Sequence, residues 1–124
     1  MTRAPENHRT ILIVEDECLV RLSAAETLRD AGFEVLEAED AEQALTLVAS
    51  HDDIGLLFTD INMPGPLDGI ALAWRIRQTQ PDIRVVLTSG KMRPAPGEAP
   101  DGAFLAKPYS PRDMTSTVAA LLAA

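Results

Sequence analysis

The stretch Ile54-Gly55-Leu56-Leu57-Phe58-Thr59-Asp60-Ile61-Asn62-Met63-Pro64 carries an apolar run that ends on a carboxylate and then breaks at a proline. A half-exposed strand would alternate apolar and polar residues. Ile54 to Thr59 does not, so it predicts a strand covered on both faces, Gly55 notwithstanding. Asp60 falls at the carboxyl end of that strand. Asn62-Met63-Pro64-Gly65-Pro66 cannot continue a strand and predicts a loop.

Working outward, the same pattern repeats. Ile11-Leu12-Ile13-Val14 is apolar at every position and runs into Glu15-Asp16-Glu17. Leu19, Leu22, Ala25 and Leu28 then recur at helical spacing, and Gly32 supplies a stop. Phe33 to Ala38 predicts a second strand. Asp40, with Gln43 three residues on, predicts a capped helix carrying Ala44, Leu45 and Val48 inward. Downstream of the quoted stretch, Asp68 predicts the cap of a helix bearing Leu72, Ala73 and Ile76, stopped by Pro81. Ile83 to Thr88 predicts a fourth strand, and Ala103 to Ala106 a short fifth. Ser110-Pro111-Arg112-Asp113 is a helix start, with Met114, Val118 and Leu121 on the core side. Between the last two strands, Pro94, Pro96, Pro100, Gly97 and Gly102 crowd residues 90–102. A regular helix there would lose backbone hydrogen bonds and suffer ring clashes, so a loop is expected.

Strands alternating with helices imply a parallel sheet covered on both faces, and right-handed crossovers restrict it to a doubly wound α/β architecture. The 124 residues fit one domain over residues 10–124, behind a flexible polar tail over residues 1–9. Hydrophobic residues make up 46% and aromatics 4%, so aliphatic side chains must build the core. The net charge of −8 argues against a direct nucleic-acid surface and suits a cation or a basic partner. Cys18, the single cysteine, cannot form an internal disulfide. The absence of a signal peptide or of any run long enough to cross a membrane leads to the expectation of a cytoplasmic protein.

In open α/β sheets, ligands sit beyond the carboxyl ends of the strands. Those ends deliver Glu15-Asp16-Glu17, Asp60 with Asn62, Thr88-Ser89-Gly90, and Lys107-Pro108. Carboxylates crowded there repel one another unless a cation is present, and hard oxygen ligands favour Mg²⁺. Asp60 can act as a nucleophile that forms an aspartyl phosphate, with Lys107 and Thr88 to stabilise the transferred group. Taken singly, each residue has a plainer reading. The acidic triplet would be solvated charge, Asp60 a turn former, Lys107 a surface lysine and Thr88 a β-branched strand residue. Their convergence on one sheet edge favours the chemical reading. Trp74 is read as packing or partly exposed surface. Cys18 is read as a small packing residue whose thiolate the neighbouring acids disfavour. His8 and His51 receive no role.

On Val14-Glu15-Asp16-Glu17, Thr59-Asp60-Ile61-Asn62-Met63-Pro64, Asp68-Gly69, Leu87-Thr88-Ser89-Gly90 and Lys107-Pro108-Tyr109, the chain resembles the receiver domain of two-component response regulators, from about Ile11 to Leu122. The resemblance implies a five-stranded flavodoxin-like fold of strand order 2-1-3-4-5. It implies phosphorylation at Asp60, with Asp16 as main Mg²⁺ ligand, Glu15 as second acidic residue and the backbone carbonyl of Asn62 completing the protein's ligands. Lys107 would pair with the phosphoryl group and Thr88 would be the switch hydroxyl. Phe104 stands where the family places a switching aromatic. The donor would be a histidine kinase or a phosphotransfer protein. The chain would be a regulatory phosphoacceptor rather than an enzyme, with homodimerisation among the associations allowed.

Two departures stand out. The proline-rich segment replaces the usual helix between strands four and five, and Ser89 follows the switch hydroxyl, where it could share or take over that role. The first departure motivates an alternative, an interaction module that works without phosphorylation. Asp60-Ile61-Asn62 also loosely resembles the Asp-x-Asp loop of haloacid-dehalogenase-type phosphatases, but there the nucleophile follows the first strand and a cap domain is usual. The reading suits both a free-standing receiver and a receiver segment of a larger regulator or hybrid kinase.

Overall fold

The computed structural model describes residues 9–91 and 93–123. The tail expected over residues 1–9 therefore lies, up to His8, outside the described residues. The elements run β1 (Thr10–Val14), α1 (Cys18–Asp30), β2 (Glu34–Ala38), α2 (Ala41–Ser50), β3 (Ile54–Asp60), α3 (Gly69–Thr79), β4 (Arg84–Ser89), β5 (Ala103–Ala106) and α4 (Pro111–Ala123). The strands form one parallel sheet in the order β2-β1-β3-β4-β5, the flavodoxin-like order.

Successive strand side chains point to opposite faces, which sorts the core into two layers. Leu12, Val14, Leu57, Val85 and Leu87 face α2 and α3, where Ala44, Val48, Leu72, Ala73 and Ile76 cover them. Ile11, Ile13, Leu56, Phe58 and Val86 face α1 and α4, covered by Ala24, Ala25, Leu28, Met114 and Val118. All seven residues of β3, the central strand, are buried, which is why its sequence lacks alternation.

Local signals set the helix ends. Asp40 accepts the Gln43 N–H at 2.9 Å, and the Gln43 side chain in turn accepts the Glu39 N–H at 2.9 Å. Asp68 caps α3 through the Ala71 N–H at 2.8 Å, and Ser110 caps α4 through that of Asp113 at 3.0 Å. After α1, Gly32 takes φ +99°. Its N–H reaches Arg29 O and that of Phe33 reaches Leu28 O, a Schellman arrangement that closes the helix.

Leu19 and Leu22 share the spacing of Ala25 and Leu28, yet they are 81% and 47% exposed. The buried stripe of α1 is Ala24, Ala25 and Leu28. The first turns of α1 instead border an apolar groove against α4, where Leu19 and Val20 face Pro108, Tyr109 and Pro111.

Among the described residues no helix lies between β4 and β5. The segment is pinned from α3 instead. Trp74 Nε1–H donates to Glu98 O at 2.9 Å, and Arg77 donates to Asp101 O at 2.9 Å. A turn at Ala95–Glu98 closes through both the Glu98 N–H and the Glu98 carboxylate. Ala99 packs on the core and Pro100 is buried. Gly102 lies against the Val85 carbonyl, where a Cβ would collide. Among the described residues no helix is long and apolar enough to cross a membrane.

Candidate functional site

Strand register assembles the site. Val14 lies beside Thr59 and Asp60 beside Thr88, so the ends of β1, β3 and β4 share one edge. The chain is held beyond that edge by the Glu15 N–H on Ala38 O (3.1 Å), the Ile61 N–H on Thr88 O (2.8 Å) and the Lys107 N–H on Ser89 O (2.9 Å). The Lys107–Pro108 bond is cis.

Carboxylate oxygens of Glu15, Asp16 and Asp60 lie within 4.8 Å of one another. Glu15 and Asp60 are only 4% and 6% exposed, while Asp16 faces solvent. Lys107 Nζ donates to Glu15 Oε1 at 2.8 Å and stands 3.2 Å from Asp60 Oδ2. The Glu17 N–H reaches Glu15 Oε2 at 3.2 Å, and the Asn62 N–H reaches Asp60 Oδ1 at 3.3 Å. The structure thus brings Glu15, Asp16, Asp60, Asn62 and Lys107 to one pocket, with Thr88 beside Asp60 in the strand register.

Three carboxylates against one ammonium leave the pocket short of positive charge. The donors are all hard oxygens, with no thiolate or imidazole among them. That donor set fits a hard divalent cation bound by one or two carboxylates and a carbonyl.

Burial raises the Glu15 carboxyl above its ordinary value of 4.5, and the Asp60 charge adds to this, against the lowering effects of Lys107 and the Glu17 N–H. Burial alone would lower Lys107, but the hydrogen bond to Glu15 and the charges of Asp60 and Glu15 together raise it above 10.5. Burial likewise raises the Tyr109 phenol above 10.0; its ring meets Phe58 edge-on at 5.6 Å. Lys107 and Tyr109 therefore each contribute stability that is whole below the ordinary value and lost as pH rises through the raised one. The melting temperature of the metal-free protein is expected to fall as pH rises above about 10.5. Lys107→Met should lose less over the same range, because only the tyrosine part remains. A fall of equal steepness in both proteins would refute the assignment to Lys107.

Ser89 is buried, and its hydroxyl is engaged: it donates to Asn62 Oδ1 at 2.9 Å and accepts the Lys91 N–H at 3.0 Å. Phe104 is half-buried against the core, with the Arg93 guanidinium 5.2 Å from its ring centre. Sequence reasoning missed Arg21. Its guanidinium donates to Glu15 O at 2.9 Å and to Glu37 at 3.3 Å, holding the strand end that carries the acids. No motif pointed to it, because the contacts depend on how α1 packs against the end of β1 and against β2.

A parallel sheet of this order, with an acid cluster at the carboxyl ends of its central strands and a lysine following its edge strand β5, defines a CheY-like receiver fold. The chain belongs to the response regulator receiver domain family, which matches residues 11–119, and is thus a regulatory domain of two-component signalling. A response regulator receiver protein from Sinorhizobium medicae superposes with TM-score 0.87 at 32% identity, over 94% of this chain and 96% of that one. Sensor kinase CckA of Brucella abortus is 34% identical over 119 residues, 91% of this chain and 12% of the kinase. Transcriptional regulatory protein PdtaR of Mycobacterium tuberculosis is 37% identical over 114 residues, 89% of this chain and 55% of that protein. The chain therefore spans about half of one curated relative and about an eighth of the other.

Proposed function

We propose that the chain is a phosphoryl-accepting switch, phosphorylated on Asp60 by a phosphohistidine donor, either a histidine kinase or a phosphotransfer protein. The observation that carries this reading is Lys107 Nζ standing between Glu15 Oε1 and Asp60 Oδ2, with Asp16 alongside. Asp16, Asp60 and the backbone carbonyl of Asn62 would hold Mg²⁺, with Glu15 as the further acidic neighbour. When bound, the ion supplies positive charge that the carboxylates and the incoming phosphoryl oxygens lack.

An Asp60 carboxylate oxygen forms the new bond to phosphorus as the phosphorus–nitrogen bond of the donor breaks. The imidazole leaves with that bonding pair. The ammonium of Lys107, already 3.2 Å from Asp60, neutralises charge on the transferred group. Ser89's hydroxyl is engaged by Asn62 and Lys91, which leaves Thr88, opposite Asp60 in the register, as the hydroxyl that moves toward a phosphoryl oxygen. That movement would shift the equilibrium between two packings around β4 and β5, and Phe104, next to Leu87, would report it.

Acetyl phosphate with Mg²⁺ is expected to add one phosphoryl mass to the wild-type protein. Chelating the metal should slow this at least about tenfold, because neutralisation at a transferring phosphoryl group is worth several kcal/mol. Uptake of equal rate with and without the metal would defeat the reading. Partner binding unchanged by phosphorylation would favour the phosphorylation-independent module instead.

A further inference from the structure

Asp16 faces solvent, and among the described residues no hydrogen bond or ion pair holds its carboxylate. Its direction is therefore set by the backbone that carries it. The oxygen of Glu15 and the nitrogen of Asp16 belong to one planar peptide, so whatever fixes that oxygen also fixes the course of the chain into Asp16. Arg21 does so. Its Nη1 donates to Glu15 O at 2.9 Å, while Nε of the same rigid guanidinium donates to Glu37 Oε1 at 3.3 Å. The Arg21 side chain is only 12% exposed, so the contact lies out of bulk water. Arg29 braces Glu37 as well, donating to Oε2 at 3.1 Å and to Val35 O at 3.0 Å, but neither contact reaches the peptide between Glu15 and Asp16.

We propose that Arg21 is a positioning residue for the metal site: by holding the peptide between Glu15 and Asp16, it aims the Asp16 carboxylate at the Mg²⁺ that Asp16 would share with Asp60. The inference rests on the metal binding proposed above. Charge and geometry make opposite demands on this residue. A guanidinium beside the acid cluster repels an incoming cation, so removing its charge alone would tighten Mg²⁺ binding. Removing the hold on the peptide would loosen it, since groups that orient a metal's ligands typically carry tenfold or more of the affinity. The sign of the change separates the two roles.

The test measures Mg²⁺ affinity without any phosphodonor, from the rise of the melting temperature along a series of Mg²⁺ concentrations. Wild type is compared with Arg21→Met, Arg21→Gln and Arg29→Met. Arg21→Met is expected to bind Mg²⁺ about tenfold more weakly. Arg21→Gln should show a similar loss, because its amide nitrogen ends where Nε of Arg21 stands, within reach of Glu37 but short of Glu15 O. Arg29→Met removes an equal charge from the same network and loosens α1 from β2, yet leaves the Glu15 carbonyl held. Its affinity should equal or slightly exceed that of wild type. With acetyl phosphate, the Mg²⁺ concentration giving half-maximal uptake should rise about tenfold in Arg21→Met, and uptake should recover when the metal is raised in proportion.

Unchanged or tighter Mg²⁺ binding in Arg21→Met or Arg21→Gln would overturn the proposal. So would an equal loss in Arg29→Met, which a general loosening of α1 produces, or slow uptake that excess Mg²⁺ does not restore. Where Arg21→Met does not fold, Arg21→Gln carries the same comparison with Arg29→Met. A wild type that binds Mg²⁺, with any of these results, refutes the Arg21 role alone. A wild type whose melting temperature does not respond to Mg²⁺ refutes the metal reading and this inference with it.

Discussion

Asp60→Asn is expected to abolish phosphoryl uptake and, at the same time, to make the metal-free protein more stable. The first effect is complete, because an amide offers no anionic oxygen to bond to phosphorus. The second follows from the charge balance of the pocket. Asp60 gains an attraction to Lys107 across 3.2 Å, about 5 kcal/mol at an effective dielectric of 20. It also repels Glu15 and Asp16 across up to 4.8 Å, about 3 kcal/mol for the buried partner and less for the exposed one. These terms nearly cancel. The cost of holding a 6%-exposed carboxylate out of water then decides, and asparagine escapes it while keeping an acceptor for the Asn62 N–H. The variant should gain on the order of 1 kcal/mol, which in a domain of this size is a rise of about 3–5 °C. Mg²⁺ should raise the melting temperature of wild type and leave the variant nearly unmoved, since ligand binding stabilises only the state that binds. Thermal melts with and without the metal, beside intact-mass measurements of uptake, check all three parts. A variant less stable than wild type without metal would mean that Lys107 needs Asp60 more than the acids repel it.

Much of this was legible in the sequence, for reasons that differ from element to element. Ile11–Val14 and Ile54–Thr59 read as buried strands because covering both faces removes polar alternation, and their carboxyl ends then placed Glu15, Asp16 and Asp60 together. Asp40, Asp68 and Ser110 marked helix starts through capping chemistry that is local in sequence. The absence, among the described residues, of a helix before β5 was legible in the segment's prolines, but its anchors were not. Trp74 and Arg77 reach that segment from 24 residues away, through contacts that only the packed fold defines. The Ser89–Asn62 bond was hidden for the same reason. The exposure of Leu19 and Leu22 was not legible, because helical period fixes a stripe, not how far along it the sheet extends. Gly69 was read as half of an Asp-Gly pair, and nothing local showed that its backbone lies on the strand that carries Asp60.

That approach makes Gly69→Ala the substitution with the largest expected cost in stability. Gly69 opens α3 directly after the Asp68 cap, and its N–H donates to Ile61 O at 2.9 Å. A Cβ there would collide with the carbonyl oxygen of Asp60 and lie 2.8 Å from Ile61 Cα. Both obstacles are backbone, so no side-chain rotation relieves them. Either α3 lifts off the sheet, uncovering Leu72, Ala73 and Ile76, or the end of β3 moves and takes Asp60 with it. Overpacking of this kind costs about 3 kcal/mol, equivalent to a fall of about 10 °C in melting temperature. Gly32→Ala supplies the contrast. Its Cβ meets nothing within 4 Å, so only the strain of φ +99° is at issue, about 1 kcal/mol. Where the Gly69 variant still folds, phosphoryl uptake should slow by up to about a hundredfold, because a displacement near 1 Å at the reacting group is enough for that. The Gly32 variant should keep the wild-type rate. Melting temperatures and uptake rates of the two variants, side by side, separate close backbone approach from backbone strain. Equal melting temperatures would show that α3 does not rest on the strand that carries Asp60.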